Sequence, residues 1–444
     1  MTTFSDSPLR LALHQALGDY PSAPLCLALS GGLDSALLLT LLAADPTWRH
    51  RLVAIHVHHG LSPHADTWMA FCQARCDELG VPLVTERVLL ARGTGESLEA
   101  QAREARYEVL RTRLPVGGVL LTAHHGDDQL ETLLLALKRG SGVRGLGAMR
   151  PAQPFGEGVH LRPWLSFSRQ QLAAAAQHAG IDWVDDESNG DARFDRNFLR
   201  LHLVPLLRER WPAILLTAGR SAELCAESSA LLDEVAAEDL QRASCGEGLA
   251  IAALGAFSAT RRHNLLRYWL RHSGASAPSR EQLQRLWLEV ACAREDANPC
   301  LSWDEWSCRR HDGALHLLRR SEGEARPLAW QGSLQPGLPL TLPEGLGRLQ
   351  LRETQGGPLR LPREGELLSV RFDVPPGCRL HPEGRAGSRR LKKLWQEYGI
   401  PSWQRGRIPI LYYGETPAAV LGVFICQGFI CEAGRGLAWQ WCQD

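Results

Sequence analysis

No stretch of this 444-residue sequence approaches the apolar length that crosses a membrane, and the N-terminal MTTFSDSPLR lacks a basic region followed by an apolar core. The expectation is therefore no secretory signal, no membrane partner and a cytoplasmic location. Cysteine is present 12 times, yet no CxxC pair occurs. Cys72 with Cys76, and Cys426 with Cys431, come nearest, and neither has zinc-ribbon spacing. That excludes a CxxC-based zinc ribbon and leaves reduced, mostly structural thiols as the expected state. Excess charge is missing too: Lys+Arg total 49 and Asp+Glu total 49. A nucleic-acid surface, if present, has to be local.

The length exceeds what one hydrophobic core supports and implies about two to four domains. The hydrophobic fraction of 44% is ample for globular packing.

The stretch LCLALSGGLDSALLLTLLAA, Leu25 to Ala44, organises what is there. A short apolar run breaks at Ser30-Gly31-Gly32-Leu33-Asp34-Ser35 and resumes at helical length, which reads as buried strand, tight loop and buried helix. Paired glycines let the backbone approach a ligand closely. The N–H groups at the start of the new helix suit an anion. Asp34 would repel phosphate unless a divalent cation lay between them. The loop thus reads as a pyrophosphate cradle with Mg²⁺ on Asp34. It is not a Walker loop, because no Lys-Ser or Lys-Thr pair follows the glycines. It resembles the SGGxDS loop of the PP-loop ATP-pyrophosphatase family, whose members cleave ATP to AMP and pyrophosphate while adenylating a substrate.

Pro8 to Leu17 reads as a lead-in helix, Arg51 to Gly60 as a second strand, Thr67 to Leu79 as a helix and Val81 to Leu90 as a third strand. Ser97 to Leu114 is a further helix and Val119 to Gly126 a fourth strand. The alternation predicts an α/β fold with a doubly wound parallel sheet. His56 and His58 end the second strand, at the edge where ligands of open sheets bind. No carboxylate or cysteine completes a metal set there, so nucleotide contact or plain solvated polarity are the readings. His56, with His124 at the fourth strand's exit, is a candidate nucleotide contact.

The second chemical stretch is Ala123 to Thr132, AHHGDDQLET. Asp127 is the N-cap candidate for the following helix, which Gly140 would end. Asp128 and Glu131, three apart, share one face of it. Gly140 to Gly145 spells GxGxxG but follows a helix and not a strand, so a dinucleotide site is rejected in favour of a glycine-rich loop with Arg144 available for phosphates.

Longer motifs narrow the resemblance. AHHGDDQLETLLLALKRGSGVRGLGAMRP, GESLEAQAREARY (Gly95 to Tyr107) and WVDDESNGDARFDRNFLRLHLVP (Trp183 to Pro205) are similar to signatures of the tRNA(Ile)-lysidine synthetase family. Ser62 stands where that family usually has arginine. The resemblance implies ATP-dependent adenylation of the C2 oxygen of a wobble cytidine in a CAU-anticodon tRNA(Ile). The ε-amine of L-lysine then displaces AMP, and the tRNA reads AUA in place of AUG. It also implies that Ser30, Gly31, Gly32, Leu33, Asp34 and Ser35 hold ATP, that Asp128 and Glu131 hold the lysine substrate, and that Arg196 stabilises developing negative charge. Arg200, one turn on, would contact tRNA.

Beyond Pro205 three helices, Ala213 to Glu238, Leu254 to His272 and Arg280 to Ala293, form a middle module. Its Arg261, Arg262, Arg267 and Arg271 read as RNA contacts or a solvated helix face. A linker-like zone from Gly323 precedes a β-rich module in which Arg379, Arg385, Arg389, Arg390, Lys392, Lys393, Arg405 and Arg407 face only Glu383 and Glu397, with Trp395, Tyr398 and Trp403 interleaved. Cations for phosphates and rings for bases make this the tRNA-binding candidate, and the segment also resembles the same family's C-terminal module. The expected domains are 1–212 (catalytic), 213–320 (helical) and 321–444 (tRNA-binding). The competing readings are a PP-loop tRNA thiolase and a non-catalytic, nucleotide-regulated RNA-binding protein.

Overall fold

All four residues of the run at Leu25–Ala28 are buried, the pattern of a strand covered on both faces. The computed structural model describes residues 7–60, 62–88, 98–185, 187–276, 278–294, 297–320 and 329–442, with the backbone alone at 98–100, 188 and 189. The chain folds as two compact units, Met1–Leu232 and Asp233–Asp444.

In the first unit, strands β1 (Leu25–Ala28), β2 (Leu52–His58), β3 (Leu83–Arg87), β4 (Val119–Leu121), β5 (Ala152–Phe155) and β6 (Gly158–Leu161) make one sheet in the order β3-β2-β1-β4-β6-β5. Every pairing is parallel except the β5–β6 edge hairpin. The helices are α1 (Pro8–Leu17), α2 (Leu33–Ala44), the single turn α3 (Pro46–Arg49), α4 (Ala65–Leu79), α5 (Leu98–Arg113), α6 (Gly126–Lys138), the single turn α7 (Val143–Leu146), α8 (Arg169–His178), α9 (Asp195–Phe198), α10 (Val204–Arg210) and the first part of α11 (Ile214–Ala243), within which the first unit ends.

Apolar on nearly every side, α2 has to be covered all round. With Leu13 and Leu17 of α1 and Leu172 and Ala176 of α8, its Leu37 and Leu41 fill one face of the sheet. Leu110 of α5 packs with Leu120 and Phe155 on the other. The sheet is doubly wound, as the sequence implies. Strand order reverses between β1 and β4, so the crevice beyond their carboxyl ends is the switch point where ligands of such sheets bind.

Two local expectations change, and a third lies partly outside the described residues. β4 stops at Leu121, and the chain turns into the loop that carries His124 and His125. The end of the third strand, residues 89–90, and the start of the Ser97 helix lie outside the described residues, as does the Gly95-Glu96-Ser97 beginning of one family motif. The decoy glycine loop is not wholly irregular, since Val143–Leu146 makes the single turn α7.

The second unit holds more sheet than the middle of the sequence suggests. The helix expected over Leu254 to His272 is two, Ile251–Ala256 and Ala259–His272, because Ser258 accepts from the Arg261 amide (3.3 Å) and caps a new start. Short strands Ser244–Cys245, Gly248–Ala250, Cys300–Trp303, Trp306–His311 and Ala314–Arg319 form a five-stranded sheet over Leu265, Leu270, Leu283 and Leu315. Beyond the zone from Gly323, whose residues 323–328 lie outside the described residues, Arg348–Gln355 and Arg435–Cys442 pair antiparallel along their length. Among the described residues no helix is long and apolar enough to cross a membrane, and all 12 cysteines are free.

Candidate active site

The loop between β1 and α2 is held by its own serines. Ser35 Oγ donates to the Gly32 carbonyl (3.0 Å) and lies 3.0 Å from Ser30 Oγ. Gly31 has φ +86°, and a Cβ there would sit 3.0 Å from both Cys72 Sγ and Val184 Cγ2. Only glycine takes that conformation in that space. The Val184 amide donates to the Gly31 carbonyl at 3.0 Å, tying the loop to the segment after α8. Gly32 is the N-cap of α2 and supplies no side-chain cap, so the first-turn amides stay available to an anion. Asp34 Oδ1 is buried without a hydrogen-bond partner. Among the described residues no group of three or more His, Cys, Asp or Glu side chains is placed to hold a metal. An orphan carboxylate oxygen beside an anion cradle fits a hard cation that completes its shell from phosphates and water, as Mg²⁺ does.

Across the switch point stands the start of α6. Its N-cap is His125 and not Asp127: the Asp128 amide donates to His125 Nδ1 (3.4 Å), and the His125 amide donates to Asp128 Oδ2 (3.1 Å). Asp127 turns the other way, accepting from the Arg169 amide (2.8 Å) and Arg208 (3.2 Å). The His125 ring sits among Asp128 (3.4 Å), Asp34 (3.7 Å) and Asp127 (3.7 Å). Burial works against its charge, but the carboxylates outweigh it and its pKa is raised. Glu131 is fully buried beneath, and burial raises its pKa despite Arg200. Burial also opposes the charge on Asp128, yet His125, His124 and Arg200 win and lower its pKa.

Asp128 and Glu131 do share a face, and it is already met by arginine. Arg200 donates to both oxygens of Glu131 (2.8 and 3.0 Å) and to Asp128 (3.2 Å). Arg196 donates to Thr132 Oγ1 (3.0 Å), with its Nε 3.3 Å from Glu131. The two arginines come from α9 and from Leu199–Leu203, which winds as a π-helix, a wide turn frequent at functional sites.

Residues 6–207 match the sequence model of the PP-loop domain, 249–316 that of the TilS substrate binding domain, and 368–441 that of the TilS substrate C-terminal domain. The tRNA(Ile)-lysidine synthase of Vibrio cholerae serotype O1 is 48% identical over 419 residues, 94% of each chain. That of Shigella flexneri is 47% identical over 427 residues, 95% of this chain and 96% of its own. The chain belongs to the tRNA(Ile)-lysidine synthase family. Among solved structures, the tRNA thiolase NcsA of Methanococcus maripaludis covers 49% of this chain and 78% of its own at 16% identity, with a TM-score of 0.41.

As a lysidine synthase family member the chain is an enzyme with an ATP-using PP-loop domain. The imidazoles at the strand ends are not solvated polar residues. His56 is buried, with Nδ1 2.9 Å from the Leu29 carbonyl, and so braces β2 against the entry to the phosphate loop. His58 is buried too, 3.3 Å from Asp66. His124 is half-buried, its Nδ1 2.7 Å from Thr122 Oγ1. His125 lies between Asp34 and Asp128, and His160 and Arg162 lie behind His124, three placements that sequence reasoning misses. The doubled histidine before Gly126 is the available signal for His125, whereas nothing local marks His160. A cleft of about 590 Å³ opens beside the loop, lined by Leu33, Asp127, Trp183, Asp185, Arg200 and Arg208 among others.

In the second unit most middle-module arginines are committed internally. Arg261 pairs with buried Asp239 (2.6 and 2.7 Å), Arg271 with Asp233 (2.7 Å), and Arg262 stacks on Trp287 at 3.6 Å. In the C-terminal module Arg389, Arg390, Lys392 and Lys393 are exposed. Arg385 is clamped on Glu397 by two 3.0 Å bonds. Arg379 donates to Ser388 (2.9 Å), Arg405 to the Ile400 carbonyl (2.9 Å) and Arg407 to the Glu344 carbonyl (3.4 Å). Trp395 and Trp403, read as possible base platforms, are core. Tyr398 alone of the three is exposed, stacked on Phe424 at 5.1 Å.

Proposed function

We propose that this enzyme ligates L-lysine to C2 of the wobble cytidine of a CAU-anticodon tRNA(Ile), through an adenylated cytidine, with release of AMP and pyrophosphate. The observation that carries this reading is the meeting, at one switch point, of a pyrophosphate loop and the Asp128–Glu131–Arg200 cluster. The amides after Gly32, with Ser30 and Ser35, bind the β,γ-phosphates. Asp34 would hold Mg²⁺, which neutralises charge on the leaving pyrophosphate. Asp128 and Glu131 receive the lysine ammonium beside Arg200, which shares their charge. Arg196, whose Nε lies 3.3 Å from Glu131, is the cation proposed to meet the negative charge that develops on the adenylate. The ammonium has to lose a proton before its nitrogen attacks C2 and the C2–O bond to AMP breaks.

The exposed cations Arg389, Arg390, Lys392 and Lys393 grip tRNA phosphates, and the chain works as a catalytic domain over 1–212, a helical domain over 213–320 and a tRNA-binding domain over 321–444, in the cytoplasm. Sulfur transfer has less support. Burial pushes the thiols of Cys26 and Cys76 up to about 11 and that of Cys72 to about 12, away from nucleophilic thiolate.

The test is AMP release from ATP with protein, Mg²⁺, lysine and the tRNA transcript, each omitted in turn, while labelled lysine is followed into RNA. Dependence on both substrates, lost in Asp34→Ala, is the expected result. AMP with tRNA but no lysine incorporation would replace the nucleophile, and RNA binding without turnover would leave a binding module.

A further inference from the structure

A file of buried side chains behind the switch point has a direction. Arg162, at the end of β6, donates through Nη1 to the Arg150 carbonyl (2.8 Å), and its Nη2 lies 2.9 Å from His160 Nδ1. His160 Nε2 lies 2.8 Å from Thr122 Oγ1, which lies 2.7 Å from His124 Nδ1. A guanidinium has donors only. His160 Nδ1 must therefore accept, and the single proton of a neutral imidazole goes to Nε2, which donates to Thr122. The Thr122 hydroxyl, having accepted, has one proton to give and one remaining partner, His124 Nδ1. That leaves the His124 proton on Nε2.

We propose that Arg162, His160 and Thr122 are positioning residues that lock His124 as its Nε2–H tautomer, so that it meets the anionic nucleotide as a hydrogen-bond donor and does not serve as the base for the lysine amine. The inference rests on the ATP-using reading above and on the sequence expectation that His124 contacts the nucleotide.

Three observations support it. His160, Arg162 and Thr122 are 0%, 5% and 3% exposed, so water does not compete along the file. Burial, with Arg162 and Arg106 beside it, pushes His160 down to about 3, and burial takes His124 well below the ordinary imidazole value. Both rings are thus neutral at working pH. His124 Nε2 has no hydrogen-bond partner among the described residues, while its half-buried ring stands at the exit of β4, across from the phosphate loop. A fixed tautomer pointed at a ligand is what an outer partner of histidine achieves.

The decisive measurement is long-range ¹H–¹⁵N correlation on the full chain labelled at histidine, with His124 assigned by the signals lost in His124→Gln. The expected pattern is that of the Nε2–H tautomer, unchanged between about pH 6 and 8. In Thr122→Val the pattern should become a tautomer mixture and kcat for AMP formation fall on the order of tenfold, while KM for ATP stays within about twofold. Thr122→Ser should restore both. An Nδ1–H or cationic His124 in the unmodified protein overturns the proposal whatever the variants do, as does Thr122→Val that keeps the pattern and the rate. The spectrum does not require turnover. An Nε2–H signature in a protein that forms no AMP would leave the relay standing and remove the ligase reading.

Discussion

Arg200 closes on Glu131 with two hydrogen bonds, Nε to Oε1 at 2.8 Å and Nη2 to Oε2 at 3.0 Å. A resident cation therefore sits on the carboxylates proposed for the lysine ammonium. Glu131 is fully buried and could not stay ionised there alone. Arg200→Ala should cost about 3 kcal/mol in urea unfolding at neutral pH, with Arg200→Lys recovering part of it. The folded pKa of Glu131 is already raised, so proton binding favours the fold. Losing Arg200 raises that pKa further, so the deficit should be largest at high pH, shrink as the pH falls towards the parent's folded pKa and level off below it. Equal stability of Arg200→Ala and the unmodified protein would show that the pair contributes nothing.

Gly31 and Gly32 are adjacent but make different demands. Gly31→Ala puts a Cβ at φ +86° and 3.0 Å from Cys72 and Val184, whereas at Gly32 the nearest atom is Ser30 Oγ at 3.6 Å. Thermal unfolding should show Gly31→Ala destabilised by about 1–2 kcal/mol or more, with Gly32→Ala close to the parent. Both should raise KM for ATP. A stable Gly31→Ala with normal KM would mean that the loop does not need its left-handed residue.

The C-terminal surface separates cations that hold the fold from those free to hold RNA. Removing Lys392 and Lys393 together should weaken tRNA binding and lower the log–log salt slope by about 1–2, without changing the melting temperature. Arg385→Ala should instead lower the melting temperature, because Arg385 is paired with Glu397. A slope unchanged in the lysine double variant would move the RNA surface elsewhere.

Glu366 gives a pH prediction in the same module. It accepts from Arg360 (2.7 and 2.8 Å) and from the Arg363 amide (2.7 Å), which hold its carboxyl down at about 2. Since the folded pKa is depressed, the stability it contributes is fully present above its ordinary value of 4.5 and is lost as pH falls towards 2. The difference in urea midpoint between the parent and Glu366→Gln should follow that course. A difference that persists at the acid end would assign the effect to packing.

The catalytic half is legible because its signals are local. β1 and α2 announce themselves as apolar runs around Gly31-Gly32, and Asp128 and Glu131 are set on one face by helical spacing alone. What sequence does not show is tertiary. Asp127 reads as a cap, yet His125 takes that position, since a ring nitrogen reaching a third-residue amide has no strong sequence signature. Arg200 reads as a tRNA contact, yet the π turn places it on Glu131, and Trp403 reads as a stacking platform although it fills a core. His160 reaches the loop after β4 only through Thr122, 38 residues away in the chain. The two- to six-residue strands of the middle sheet are too short for periodicity to be read.

Cys72 forms part of the wall behind the phosphate loop, fully buried against the place where Gly31 has no side chain. A sulfur so placed is a built-in stopwatch. An alkylating reagent reaches it only during excursions in which the loop lifts off α4, so its labelling rate counts those openings against global unfolding. Nucleotide that pins the loop should lengthen the interval between them, giving occupancy of the cradle a kinetic signature that needs neither RNA nor lysine.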